Sequence, residues 1–290
     1  MNPTFRHLVP AVLAVAAAGL SAAADVPGDA DRKPTPDDGT RFLLTDAEAA
    51  AGERHERHAE LFGKRIAGWN RFVLAGIDAV QKHAPDGGGY FIGVKAKPTE
   101  SPIGYALSLF DKPLLDPPRT TSYCSGASYA AFIEGMNRIF PDGAAKLSKE
   151  RAEALRMQEP DGGRREDWVK FWGIWNADGP GCQLALVQYA GMGEEVTPER
   201  ARPGDFMNIS WTSGVGHSVV FLGWRVDKDG GKRLVFWSSQ KGTNGLGDIA
   251  TSIDKVKTVK IVRLTKPENL FTFDPAKSVN RKIPGDRADW

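Results

Sequence analysis

The sequence predicts an α+β domain, with a helical first half followed by an antiparallel sheet. Apolar residues recur at helical spacing as far as about residue 190, whereas from Ala201 onward short β-rich runs alternate with Gly and Asp turns. The 290 residues carry a net charge of +2, with 41% hydrophobic and 26% charged side chains. That balance is ordinary for a globular protein and argues against a nucleic-acid partner.

Residues 1–24 read as a secretory signal peptide. Arg6 precedes the apolar run Leu8 to Leu20, and Ser21-Ala-Ala-Ala24 offers small residues for cleavage before Asp25. The run is too short for a comfortable membrane span, and no Cys follows it to carry a lipid anchor. The expected product is exported, to the periplasm or the extracellular medium, with no integral membrane segment after cleavage. Residues 25–40, rich in Pro, Asp and Gly, read as a disordered linker.

Residues 41–118 form an N-terminal helical and extended region expected to pack on the domain that follows. Thr45-Asp-Ala-Glu48 has the form of a capping box and predicts a long helical stretch toward His83, with Ile66, Trp69, Val73, Ile77 and Val80 on its apolar face. His55 and His58 lie three residues apart, whereas a zinc-protease helix needs its histidines at i and i+4. Their charged neighbours predict a solvated face, and no metal site or cofactor is expected. Tyr90–Val94 reads as a short strand, and Pro113, Pro117 and Pro118 stiffen the approach to Thr121.

Tyr129, Phe132, Ile133 and Met136 then mark the buried face of a helix that begins just after Tyr123-Cys-Ser-Gly126. Cys124 falls at the helix N-terminus, where unpaired N–H groups and the dipole favour a thiolate. Gly126 lets a backbone or a substrate pass close to the sulfur. Further on, Trp168, Phe171, Trp172 and Trp175 form an aromatic stripe, read as core or as a ligand-stacking wall. Gln183–Ala190 reads as another buried helix. The strands are placed at Phe206–Trp211, His217–Trp224, Leu234–Ser239 and Thr258–Leu264, with Asp227–Gly231 as a hairpin turn and 277–290 as a polar tail.

A cysteine nucleophile needs a base, and His217 is the histidine in a suitable setting: it follows the loop Ser213-Gly-Val-Gly216 and opens a strongly apolar strand. Gln240 or Ser239, at the end of the returning strand, can fix its tautomer, as can Asn244; Gln240 reaches farthest. The competing expectation is a disulfide between Cys124 and Cys182, since an oxidising compartment favours pairing.

Tyr123-Cys-Ser-Gly126 heading a helix, Arg202-Pro-Gly-Asp205 heading a strand and Gly216-His217 heading the next resemble, in that order, the NlpC type of papain-like cell-wall peptidases and the related cysteine amidases. The resemblance spans about Arg119 to Leu264. It implies a cysteine hydrolase domain over 119–265, followed by a tail over 266–290, with a helix packed on an antiparallel sheet and amide hydrolysis in peptidoglycan peptides. Cys124 takes the nucleophile position, His217 the base and Ser239-Gln240 the third; Tyr123, Ser125, Gly126, Gly216 and Trp172 are the candidate substrate contacts. Two departures stand out: Tyr123 occupies a position commonly Asp, and no histidine follows His217 to serve as third member. The alternatives are a catalytically inactive wall-binding domain using Trp168, Trp172 and Trp175, and a same-fold amidase with another substrate.

Overall fold

The computed structural model describes residues 39–97, 100–156, 171–172, 182–279 and 284–288. The signal peptide, nearly all of the linker, Trp168 and Trp175 lie outside them. The capping box forms as predicted: Thr45 Oγ1 accepts from the Glu48 N–H, and Glu48 Oε2 accepts from the Thr45 N–H at 2.7 Å. It opens only one turn, α1 (Asp46–Ala49). The long helix expected here is three helices, α1, α2 (His58–Phe62) and α3 (Asn70–His83). Gly52 and Gly68 sit between them at φ of 96° and 69°, a left-handed backbone that no helix continues through.

Tyr90–Val94 makes no strand; Tyr90 forms an isolated bridge to Ser122, and Gly93–Lys95 is a 3₁₀ turn. A hairpin follows, β1 (Leu107–Leu109) and β2 (Lys112–Leu115), turning on Phe110 and Asp111. Then comes α4 (Cys124–Ile139), with the predicted Tyr129, Phe132, Ile133 and Met136 buried. It crosses α3 closely enough that a Cβ on Gly76 would stand 2.3 Å from the Ala131 carbonyl oxygen. Two short helices, α5 (Lys149–Ala154) and α6 (Ala185–Gln188), precede the sheet.

Six antiparallel strands follow: β3 (Gly193–Val196), β4 (Phe206–Trp211), β5 (Gly216–Val226), β6 (Lys232–Gln240), β7 (Gly245–Ser252) and β8 (Val256–Leu264). Their spatial order is β3-β8-β4-β5-β6-β7. The mixed helix and antiparallel sheet agree with an α+β fold. The β5–β6 turn lies at Asp227–Gly231, closed by the Asp227 N–H to the Gly231 carbonyl at 2.8 Å. Neither β3 nor β7 is among the predicted strands, and the polar tail is partly docked: Asp286 bridges Val259 and Ala288 is buried.

Side chains alternate across the sheet. Val220, Leu222 and Trp237 join Phe132 and Ile77 in the larger core, under α3 and α4. Val219, Phe221, Phe236 and Ile209 form a second cluster. Asp205 is fully buried and accepts from Asn70 Nδ2, the Arg202 N–H and the Arg263 guanidinium. The described residues make one compact unit. Among the described residues no helix is long and apolar enough to cross a membrane.

Candidate active site

Tyr123 caps α4 in an extended conformation, its N–H bonded to the Pro102 carbonyl at 2.9 Å, and the chain turns helical at Cys124. The Cys124 side chain is only 2% exposed. Burial pushes its thiol up to about 11, against the backbone N–H groups of Ser218, Ser125 and Cys124 and the Tyr123 hydroxyl, which all favour the thiolate. The expected helix N-terminal stabilisation is present, but desolvation outweighs it. The resting group is a neutral thiol. Cys182 is also a buried thiol, in the larger core, and the expected disulfide between the two is absent.

The Ser218 N–H that meets the sulfur belongs to the residue after His217. Ser218 faces α4, its Oγ 2.7 Å from Ser128 Oγ. His217, one residue earlier, leaves β5 on the other face and packs edge-on against Phe236, with Trp211 beyond. Its Nε2 lies 3.4 Å from Gln240 Oε1. The amide orientation of Gln240 follows from its neighbours: Nε2 donates to Thr243 Oγ1 at 2.6 Å and to the Gly247 carbonyl at 3.0 Å, and a carbonyl can only accept. Oε1 therefore faces the imidazole, which donates from Nε2 and keeps its lone pair on Nδ1. Burial, partly offset by that bond, pulls His217 down to about 4.

Ser239 is not beside the imidazole; its Oγ accepts from Ser122 Oγ at 2.7 Å. Strand alternation explains this, since the β5–β6 register pairs Val220 with Trp237 and, continued toward the strand ends, sets His217 opposite Gln240. Asn244 is also out of place: its Oδ1 accepts from the Tyr90 N–H at 3.4 Å.

Three expected substrate contacts are buried. Ser125 is fully enclosed, and Gly126 admits the backbone of Pro102, whose oxygen would stand 2.1 Å from an added Cβ. Trp172 lies in the core, stacked on Phe132 and donating to Ser128 Oγ at 3.3 Å, so it offers no stacking wall. Gly216 is exposed and Tyr123 half-buried. Sequence reasoning missed Tyr90, whose ring stacks on Tyr123 with centroids 5.5 Å apart. The two phenols are hydrogen bonded, and Tyr123 also donates to the sulfur. The approach to the thiol is thus framed by a tyrosine pair.

A second cluster lies near the start of β7. His55 and His58, expected on a solvated face, have side chains only 8% and 1% exposed, with rings stacked at 4.1 Å. Their Nε2 atoms approach the two oxygens of Asp248 at 3.1 and 3.0 Å, and His58 Nδ1 meets Asp78 Oδ1 at 2.6 Å. Burial opposes protonation of His58, but the Asp248 and Asp78 carboxylates prevail and hold it at about 9. The ligand atoms of His55, His58 and Asp248 lie within 4.8 Å of one another, a grouping that the spacing of the two histidines alone did not reveal.

No family model, curated protein or solved structure matches the chain.

Proposed function

We propose that the chain is an exported cysteine hydrolase that cleaves amide bonds in peptidoglycan peptides, with Cys124 as nucleophile, His217 as base and Gln240 as the residue that orients it on a papain-like scaffold. One observation carries the reading. The Gln240 amide, fixed by Thr243 and Gly247, holds His217 Nε2, while the adjoining Ser218 N–H meets the Cys124 sulfur. The cell-wall substrate comes from the resemblance of the three motifs, not from the geometry.

With the thiol at about 11 and the imidazole at about 4, both are neutral near pH 7. Attack then proceeds by general-base catalysis instead of through a preformed ion pair. This step requires the imidazole, which leaves β5 on the face away from α4, to bring Nδ1 to the sulfur around the Gly216 end of the strand, where it takes the thiol proton as the sulfur bonds to the carbonyl carbon. The oxyanion is met by the Cys124 N–H and the Tyr123 hydroxyl. The imidazolium protonates the leaving amine as the C–N bond breaks. Water, deprotonated by His217, then attacks the thioester and releases the acid and the thiol.

Replacing Cys124 with Ala should abolish cleavage of purified muropeptides, a loss of about 10⁴-fold or more, with an unchanged circular dichroism spectrum. Full activity in that variant would sink the proposal. The enclosed, neutral thiol favours a second reading, a catalytically silent wall-binding domain. That reading requires wild-type protein to bind sacculi and leave both muropeptides and defined peptides uncut; cleavage of defined peptides alone points to an amidase with another substrate.

A further inference from the structure

We propose that His55, His58 and Asp248 form a binding site for a divalent transition-metal ion, for which two imidazoles and a carboxylate make Zn²⁺ the best-suited probe. Two segments build it: the stretch 55–58 running into α2 supplies both imidazoles, and β7 supplies Asp248. Both imidazoles present Nε2 to the same carboxylate, one to each oxygen, at 3.1 and 3.0 Å. All three ligand atoms lie within 4.8 Å of one another; one ion at about 2 Å from each needs them no more than about 4 Å apart, so any wider pair closes as the ion enters.

The surroundings are arranged as a metal site requires. Asp78 accepts from His58 Nδ1 at 2.6 Å and is itself anchored by the N–H groups of His58 and Ala59 at 2.8 and 3.0 Å. A carboxylate behind the distal nitrogen fixes the tautomer that leaves Nε2 free to ligate. Ligation through Nε2 displaces the proton that each ring shares with Asp248 to solvent or to its own Nδ1, and the two carboxylates and two neutral rings that remain are balanced by a divalent cation. A cleft lined by Glu48, Gly52, Glu53 and Asp248 opens this end of β7 to the surface.

His55 is the weakest of the three. The Arg57 N–H points at its Nδ1 at 3.2 Å, so its Nε2 carries the proton; ligation through Nε2 moves that proton to Nδ1 and exchanges the Arg57 contact for water. That contact is exposed, and the exchange is cheap.

The test uses the mature chain in a Cys124→Ala, Cys182→Ala background, so that no thiol can bind the ion. After chelator treatment, Zn²⁺ is titrated against a chromophoric chelator, and metal is counted after gel filtration. One equivalent per chain is expected, with a loss of about 100-fold or more for Asp248→Asn, about 10–100-fold for Asp78→Asn and a smaller loss for His55→Ala. Stoichiometric binding that survives the His55→Ala, Asp248→Asn pair overturns the site, as does no saturable binding by the parent. Should the paired variant fail to fold, imidazole ¹⁵N spectra of the parent decide: Zn²⁺ must shift both His55 and His58, and unchanged resonances refute the proposal.

Discussion

His217 and His58 are both buried histidines, yet their surroundings drive them in opposite directions. His217 meets a neutral amide, two aromatic rings and, among the described residues, no carboxylate, and burial takes it down to about 4. His58 is as deeply enclosed but lies between Asp78 and Asp248, and is held at about 9. Burial sets how strongly a neighbour is felt; the neighbour's charge sets the sign. One site keeps a base neutral and available, and the other gathers negative charge around two imidazoles. They are linked: the Gly247 carbonyl that fixes Gln240 immediately precedes Asp248, whose N–H bonds to the Glu53 carbonyl at 2.7 Å.

The largest effect that separates the two is the pH dependence of stability due to His217. Its folded value of about 4 lies below the ordinary 6.5, so between these values the unfolded chain binds a proton that the folded chain does not. The contribution is present above pH 6.5 and is lost as pH falls toward 4, about 3 kcal/mol in all. Urea unfolding at pH 7 and pH 4.5 should show a smaller difference for His217→Gln than for the parent. An unchanged difference would mean that the imidazole is solvated and the comparison with His58 is misdrawn.

A carboxylate placed beside His217 should make it resemble His58. Gln240→Glu is expected to raise the imidazole to about 6 or above, and the imidazolium in turn to lower the thiol, speeding iodoacetamide alkylation of Cys124 at pH 7 by about 10-fold. The variant also sets a carboxylate against the Gly247 carbonyl that the Gln240 amide now satisfies, at about 1–3 kcal/mol. An imidazole that titrates near 4 in this variant would show that Gln240 does not face it.

What the sequence made legible divides on the same lines, between local and distant causes. The start and buried face of α4 were readable because the signal, a polar run followed by Tyr129, Phe132, Ile133 and Met136, is contained within the helix. Four strands were readable from their β-branched and aromatic runs. β7 was not, because Gly-Leu-Gly-Asp-Ile-Ala-Thr-Ser has weak strand propensity and takes its form from pairing along β6. The cap at Thr45 was correct and the length of its helix was not, since the glycines that follow end what the cap begins. His217 and Gln240 could be nominated from the hairpin, but the choice over Ser239 needed the register. His55 and His58 were misread for a different reason: their local neighbours are charged, and the residue that encloses them, Asp248, lies 190 residues from His58.

The smallest predicted effect tests that register directly. Ser239 and Gln240 are adjacent, but alternation directs only Gln240 to His217, while the Ser239 hydroxyl accepts from Ser122 Oγ in the segment leading to α4. Ser239→Ala removes one neutral hydrogen bond and leaves the Ser122 hydroxyl to find another partner, a cost of about 1 kcal/mol in stability. It removes nothing from the imidazole. Amide hydrolysis should therefore stay within about 2-fold of the parent and keep its pH profile, whereas Gln240→Ala frees the ring to turn and lowers the rate by about 10-fold or more. A Ser239→Ala variant that loses more activity than Gln240→Ala would mean that the end of β6 is shifted by one residue, with Ser239 as the partner of His217. That outcome would also move Asp248 to the other face of β7 through the β6–β7 ladder, and so would break both sites at once.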